Sequence, residues 1–445
     1  MKKIFYSIIT AVAFLPARGF AQMGEAYELN IHGVKVIVQP SGNEIVEVLT
    51  IIKGGVQNYP AAKAGIENLA ITALTECGTL KDDKNSFKNK LDKVSAEVGG
   101  YTGMDYASFR MNCIASDFET VWPLYVAAMT IPKFDAKEFE RIRQDQMTSL
   151  RAQESNPDFA IDQMAKQLAF AGKNYSKNPG GTVETVTKLT VAETKAYYKS
   201  IFNRSRMVIV IVGELDKKKL EEKLKTFLSK VPQGSPFVQK KEAFAATANN
   251  FQPRDKELAT NYVKGITSAP SPGTPDYDAF VLAMRIFAMK HFIEVRTNNG
   301  LSYAPQAYFS SGITPYANVS ASTTDPNKYI AVTRQLIDKI KTEGFTEEDL
   351  KNQKTGYITS VYYRQETNYA QAAALASNEV VNGNWKRANT IKDEMKNVTV
   401  DDLNRVFKKY ITNFSWAYQG DSKKVDPQLY KQKETPKLPQ EKKAF

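Results

Sequence analysis

The chain has 445 residues, 42% of them hydrophobic and 24% charged, with a formal net charge of +12 and two cysteines. That length exceeds one hydrophobic core and calls for two to four domains, while two cysteines exclude a disulfide-rich scaffold. The basic residues are scattered rather than clustered with aromatics, which points to a solvated surface, or one that meets acidic peptides or an anionic membrane, rather than to a nucleic-acid groove.

The chain opens with Met1-Lys2-Lys3, an apolar run from Ile4 to Leu15, and Gly19-Phe20-Ala21 before Gln22. A basic start, a short apolar stretch and small residues at a cleavage point read as a secretory signal over 1–21. The run is too short to span a bilayer, and no later stretch is long and apolar enough to do so. The expectation is a soluble periplasmic protein whose net charge falls to +9 once Lys2, Lys3 and Arg18 leave. Ala26 to Gln39 alternates like a hairpin around His32-Gly33, and Ile45 to Ile52 reads as a second strand. Helical patterns follow near 64–77, 84–98, 117–130, 134–154, 158–170, 190–202 and 216–229, with strands near 101–104 and 107–114 and at Met207 to Val212.

The same succession of signals returns about 210 residues later. Thr190-Val-Ala-Glu-Thr-Lys-Ala-Tyr-Tyr-Lys-Ser-Ile-Phe202 recurs as Thr399-Val-Asp-Asp-Leu-Asn-Arg-Val-Phe-Lys-Lys-Tyr-Ile411, each with a threonine N-cap candidate and an apolar stripe. Gln153-Glu-Ser-Asn-Pro157 is echoed by Gln365-Glu-Thr-Asn-Tyr369, and both copies set a long helix before this polar break. Coincident signals at one offset indicate duplication. The expected class is α+β, with two related domains, 24–232 and 253–430, each a largely antiparallel sheet with helices on one face. Residues 233–252 read as a linker rich in Pro, Ala and Lys, and 431–445 as a disordered Lys/Glu/Pro tail.

Chemistry-bearing residues are scarce. His32 reads as a solvated turn residue, His291 as packed or exposed on a helix, and Cys77 and Cys113 as small buried residues or a single bridge. The segment Gly65-Ile-Glu-Asn-Leu-Ala-Ile-Thr-Ala-Leu-Thr-Glu-Cys-Gly-Thr79 resembles the helix on which M16 (pitrilysin/insulinase) metallopeptidases carry their zinc motif H-x-x-E-H. Two histidines at i and i+4 share a helix face and reach one ion. Here Asn68 and Thr72 match the metal-binding positions and Ile71 the general base. The third ligand of the family, a glutamate on a later helix, falls within 144–151, where only Asp145 is acidic. Glu67, Glu76 and Glu154 are the other nearby carboxylates, but without a nitrogen or sulfur donor no hydrolytic zinc site is expected.

Phe292-Ile-Glu-Val-Arg296-Thr-Asn-Asn-Gly300-Leu-Ser-Tyr303 resembles the M16 stretch in which a helix ends in arginine, turns at glycine and brings a tyrosine to the start of a strand. In that family the pair reaches across a chamber to substrate over the zinc of the opposite half. A guanidinium grips a carbonyl or carboxylate, and a phenol donates to developing negative charge. Keeping Arg296 and Tyr303 while losing the ligands implies a non-catalytic subunit of a heterodimeric metalloendopeptidase. The chain would bind no metal and would meet an H-x-x-E-H partner that supplies zinc for short or unfolded peptides. The alternatives are a stand-alone periplasmic peptide-binding or chaperone-like pseudopeptidase, and a scaffold for membrane-associated complexes.

Overall fold

In the computed structural model, which describes residues 24–435, His32 and Gly33 take φ of 50° and 82°. Two consecutive positive φ values form the tight turn that suits the twist of a hairpin. They fold β1 (Tyr27–Ile31) back on β2 (Val34–Gln39). The first sheet adds β3 (Ile45–Lys53), β4 (Glu97–Thr102), β5 (Tyr106–Ile114) and β6 (Met207–Val212) in the order β1-β2-β6-β3-β5-β4. All neighbours are antiparallel except β2 and β6.

Between and after these strands run α1 (Ile66–Glu76), α2 (Lys84–Asp92), α3 (Phe118–Thr130), α4 (Ala136–Ser155), α5 (Pro157–Ala169), α6 (Val183–Thr187), α7 (Val191–Ile201) and α8 (Lys217–Leu228). The pattern read as one helix over 84–98 is divided: α2 stops at Asp92, and β4 starts at Glu97, opposite Asn112. Ser95 turns the chain with φ 49°, and pairing of Glu97–Thr102 along β5 overrides the local helical signal.

The second sheet contains β7 (Asn250–Asp255), β8 (Asn261–Thr267), β9 (Gln306–Ser310), β10 (Tyr316–Thr323) and β11 (Phe414–Gly420). Its order, β7-β11-β8-β10-β9, repeats β2-β6-β3-β5-β4 strand for strand, including one parallel pair. The helices are α9 (Asp276–Phe292), α10 (Pro326–Glu343), α11 (Glu347–Tyr363), α12 (Asn368–Asn382), α13 (Arg387–Lys396), α14 (Val400–Tyr410) and α15 (Pro427–Lys431). Thr190 and Thr399 cap α7 and α14 with the same reciprocal pairing to Glu193 and Asp402.

Each half lends a helix to the other. On β3 and β6 one set of alternating side chains, with Val46, Val48, Ile209 and Ile211, faces the first half's own helices. The other set, with Leu49, Ile51, Val208 and Val210, is covered by Ala372, Leu375 and Ala376 of α12. Conversely, Ile161 and Ala165 of α5 share a core with Ile266 and Ala417 of the second sheet. This exchange explains why Met207–Val212 is buried throughout.

The segment read as a linker crosses both halves. The Gln239 amide donates to the Asp105 carbonyl at 2.6 Å, and the Thr314 hydroxyl to the Glu242 carbonyl at 2.9 Å. Its final residues belong to β7, an edge strand, where Pro253 needs no N–H partner. At the other end, the Arg334 guanidinium donates to the Lys433 carbonyl at 2.6 Å, so the segment read as a tail starts attached to α10. The leader assigned to 1–21 and residues 436–445 lie outside the described residues.

Candidate functional site

Helix α1 is bracketed by glycines at φ 93° (Gly65) and 69° (Gly78). A Cβ at either would come within 2.8 Å of a backbone oxygen, Gly180 at the start and Asp82 at the end. Only glycine suits such positions. Along one face of this helix Asn68, Thr72 and Glu76 recur at every fourth residue and line a hollow of about 780 Å³. Helix α4 supplies Arg141, Asp145 and Gln146 to the opposite wall, and β4 supplies Tyr101 and Thr102.

Asn68 and Thr72 therefore share a wall, and Asp145 faces them. The Asn68 amide donates to the Thr102 hydroxyl at 3.1 Å. Ile71 turns into the core, where it sits so close to Gly100 that a Cβ there would lie 2.1 Å from its methyl group. Asp145 is already engaged by a cation. Arg141 donates to Asp145 at 2.7 Å, to Glu76 at 2.6 Å and to Glu138 at 2.8 Å. Lys88 reaches Glu76 at 2.5 Å, and Lys84 reaches Glu138 at 3.3 Å. Burial alone would raise the Glu76 carboxyl pKa, but Lys88 and Arg141 outweigh it and hold it low.

Three carboxylates are thus balanced by three fixed cations. A zinc ion does not fit this donor set: an amide, an aliphatic chain and a hydroxyl occupy the motif, and a guanidinium holds the remaining acid. Arg141 was the residue that motif reading missed, although Glu138, Arg141 and Asp145 at i, i+3 and i+7 carry the spacing of a helical charge ladder. Among the described residues, no group of three or more His, Cys, Asp or Glu side chains gathers as a metal site requires.

The other acids lie elsewhere. Glu154 is exposed on α4 and does not line the hollow. Glu67 is 1% exposed, on the buried side of α1, where Tyr197 donates to it and Asn58 donates at 3.0 Å. Its second carboxylate oxygen has no partner. His291 is wholly buried between Phe287 and Tyr329, and burial pulls its pKa down to about 3, so the ring is neutral. His32 is exposed in its turn. Cys77 and Cys113 are free and buried, with thiols pushed up to about 12 by desolvation.

Past the end of α9 the backbone widens into a π turn, Ile293–Asn298, and stops at Gly300, φ 59°, whose N–H donates to the Arg296 carbonyl at 3.1 Å. The Leu301 N–H donates to the Val295 carbonyl at 2.9 Å, and Leu301 is buried. The Arg296 guanidinium lies over the Tyr303 ring at 4.3 Å and over Phe292 at 5.1 Å. Tyr303 is 80% exposed and lies in the bend three residues before β9, not at the strand's start as its spacing had implied. Pro305 and the glycine stop keep the backbone out of the ladder until Gln306. The structure brings Arg296 to Tyr303, but neither lines the α1 hollow, to which the second half contributes no residue.

Residues 188–357 match the family described as Peptidase M16 inactive domain. The fold is similar to a Pseudomonas fluorescens structure of that same description, with a TM-score of 0.81 and 17% identity over 89% of this chain and 98% of that one. The chain thus resembles the M16 family in sequence over 188–357 and in fold over most of its length. Its relatives include a Bacillus subtilis protein named Uncharacterized zinc protease YmxG, 19% identical over 75% of this chain and 83% of the relative. A Helicobacter pylori protein named Non-peptidase homolog YmxG is 21% identical over 66% and 70%. The mitochondrial-processing peptidase subunit beta of Lentinula edodes is 18% identical over 76% and 77%. Compared with the H-x-x-E-H of M16 metallopeptidases, α1 has Asn68, Ile71 and Thr72 in place of the two histidines and the glutamate.

Proposed function

We propose that this chain is the non-catalytic subunit of a heterodimeric M16-type zinc metallopeptidase, acting in the periplasm after loss of residues 1–21. An H-x-x-E-H partner would hold the zinc and its hydroxide. Arg296 and Tyr303 of this chain would hold the peptide carbonyl and donate to the oxyanion that develops there.

The observation that carries this reading is the separation of two groups. Arg141 holds Asp145 and Glu76 beside the motif face of α1, whereas Arg296 and Tyr303 stand together on an exposed turn beside Met289, Phe292 and Ile293, three large apolar side chains open to solvent. Such a cluster fits a surface covered by another protein. A relative that is itself named a subunit agrees with this arrangement.

Co-expression with an H-x-x-E-H chain tests the proposal. A complex that holds one zinc and cleaves peptides only when both chains are present is expected, with kcat lowered at least about tenfold by Arg296→Ala. Unchanged turnover in that variant would refute the role given to the pair. The second reading, a stand-alone periplasmic peptide binder or chaperone-like pseudopeptidase, draws on the 780 Å³ hollow within this chain. It requires extended peptides to bind the purified chain alone.

A further inference from the structure

The seam between the halves contains a charge imbalance that opens into the α1 hollow. Asp162 on α5 faces two ammonium groups: Lys264 of β8 meets one carboxylate oxygen at 2.6 Å, and Lys166, one turn further along α5, meets the other at 2.8 Å. The Lys264 side chain is 6% exposed and is also held by the Tyr308 hydroxyl at 2.9 Å. Lys166 lines the hollow together with Asp162 and Gln163, and among the described residues Asp162 is its one ion-pair partner.

Burial by itself lowers the Lys166 pKa, yet the neighbouring Tyr316 phenol and the Asp162 carboxylate outweigh that and leave it raised. Lys264 behaves in the same way, with Asp162 the largest opposing influence. Both ammonium groups are therefore charged at neutral pH. Two cations share one anion in a poorly solvated seam, and one positive charge stays uncompensated by protein. An ammonium has three N–H donors, and among the described residues Asp162 is the one carboxylate that takes up a donor of Lys166.

We infer that Lys166 anchors the C-terminal carboxylate of a peptide lying in the α1 hollow. A carboxylate supplies the missing charge and accepts the N–H bonds that Asp162 leaves unused. Lys264, fixed by Asp162 and Tyr308, keeps Asp162 from cancelling the Lys166 charge in full and acts as a positioning residue. The lining of the hollow runs from Lys166 on α5 to Glu76 at the end of α1, which gives direction to this capture. This inference rests on the second reading above, in which this chain by itself holds a peptide in its hollow.

The test uses the full chain and fluorescein-labelled peptides of about ten residues in three forms: free C-terminal acid, C-terminal amide, and amide with an internal glutamate. Fluorescence anisotropy should show the free acid binding roughly tenfold more tightly than either amide. Lys166→Gln should reduce the free acid to the affinity of the amide, and Lys166→Arg should retain the preference. Equal affinity of acid and plain amide for the unmodified chain would overturn the anchor while leaving peptide binding intact. Tight binding of the amide with internal glutamate would overturn the assignment to a chain terminus. No binding of any form would overturn both the anchor and the peptide-binding reading. Circular dichroism of Lys166→Gln and Lys166→Arg checks that both variants are folded, so that a common loss of structure is not read as loss of the anchor.

Discussion

Glu67→Gln should make the stability of this protein less dependent on pH. Glu67 is buried beneath α1 with one oxygen lacking a partner, and desolvation lifts its pKa from 4.5 to about 7 against the opposing pull of Tyr197, Asn58 and Arg206. The folded chain therefore holds a proton between pH 4.5 and about 7 that the unfolded chain has released. Stability is greatest below that window and falls as the pH rises through it, because folding then requires a buried charge. At about 1.4 kcal/mol per pH unit the full shift amounts to roughly 3 kcal/mol. Glutamine keeps the carbonyl that accepts from Tyr197 and Asn58, but places an NH2 where no acceptor exists, a pH-independent cost of about 1–3 kcal/mol. The diagnostic quantity is thus the change with pH of the difference between variant and parent. Urea unfolding at pH 4.5, 6 and 8, followed by tryptophan fluorescence from the buried Trp122, should show that difference shifting in favour of glutamine by roughly 3 kcal/mol from the lowest to the highest pH. A constant difference across the range would refute a buried, proton-binding Glu67.

Two further predictions probe the hollow and the exchange of helices. Restoring donors through Asn68→His, Ile71→Glu, Thr72→His and Asp145→Glu should leave zinc binding more than about tenfold weaker than the same set with Arg141→Ala, because the guanidinium occupies the acid and repels the ion; chelator competition measures this, and equal affinities would disprove the blocking role. Leu375→Ala should destabilise the chain by about 2–4 kcal/mol, since Leu375 is 2% exposed between α12 and the first sheet. A loss below about 0.5 kcal/mol in urea unfolding would show that the exchanged helix contributes little.

Local patterns were legible wherever a residue type has one physical use. His32-Gly33 marked the hairpin, Thr190 and Thr399 marked two helix starts, and Asn299-Gly300 marked the stop after Arg296. The boundary near Glu97 was not legible, because pairing with β5 decides it and that pairing is remote in sequence. Nor was the position of Tyr303 before β9, since a strand's first residue is set by the neighbour it bonds to, β10 in this case. Arg141 could have been found from its spacing to Glu138 and Asp145, but its third partner, Glu76, lies on another helix.

From its sequence alone this protein is a duplicated α+β chain whose motif helix lacks the donors a zinc ion needs. Those conclusions follow from residue chemistry and short-range periodicity, which need no knowledge of distant contacts. Only the tertiary structure decided that Arg141 neutralises the acids around that helix, that α5 and α12 cross to the opposite sheets, and that Asp162 serves both Lys166 and Lys264. Each of these joins residues that are far apart along the chain or lie on different elements, and their energies exist only once folding has removed water from between them.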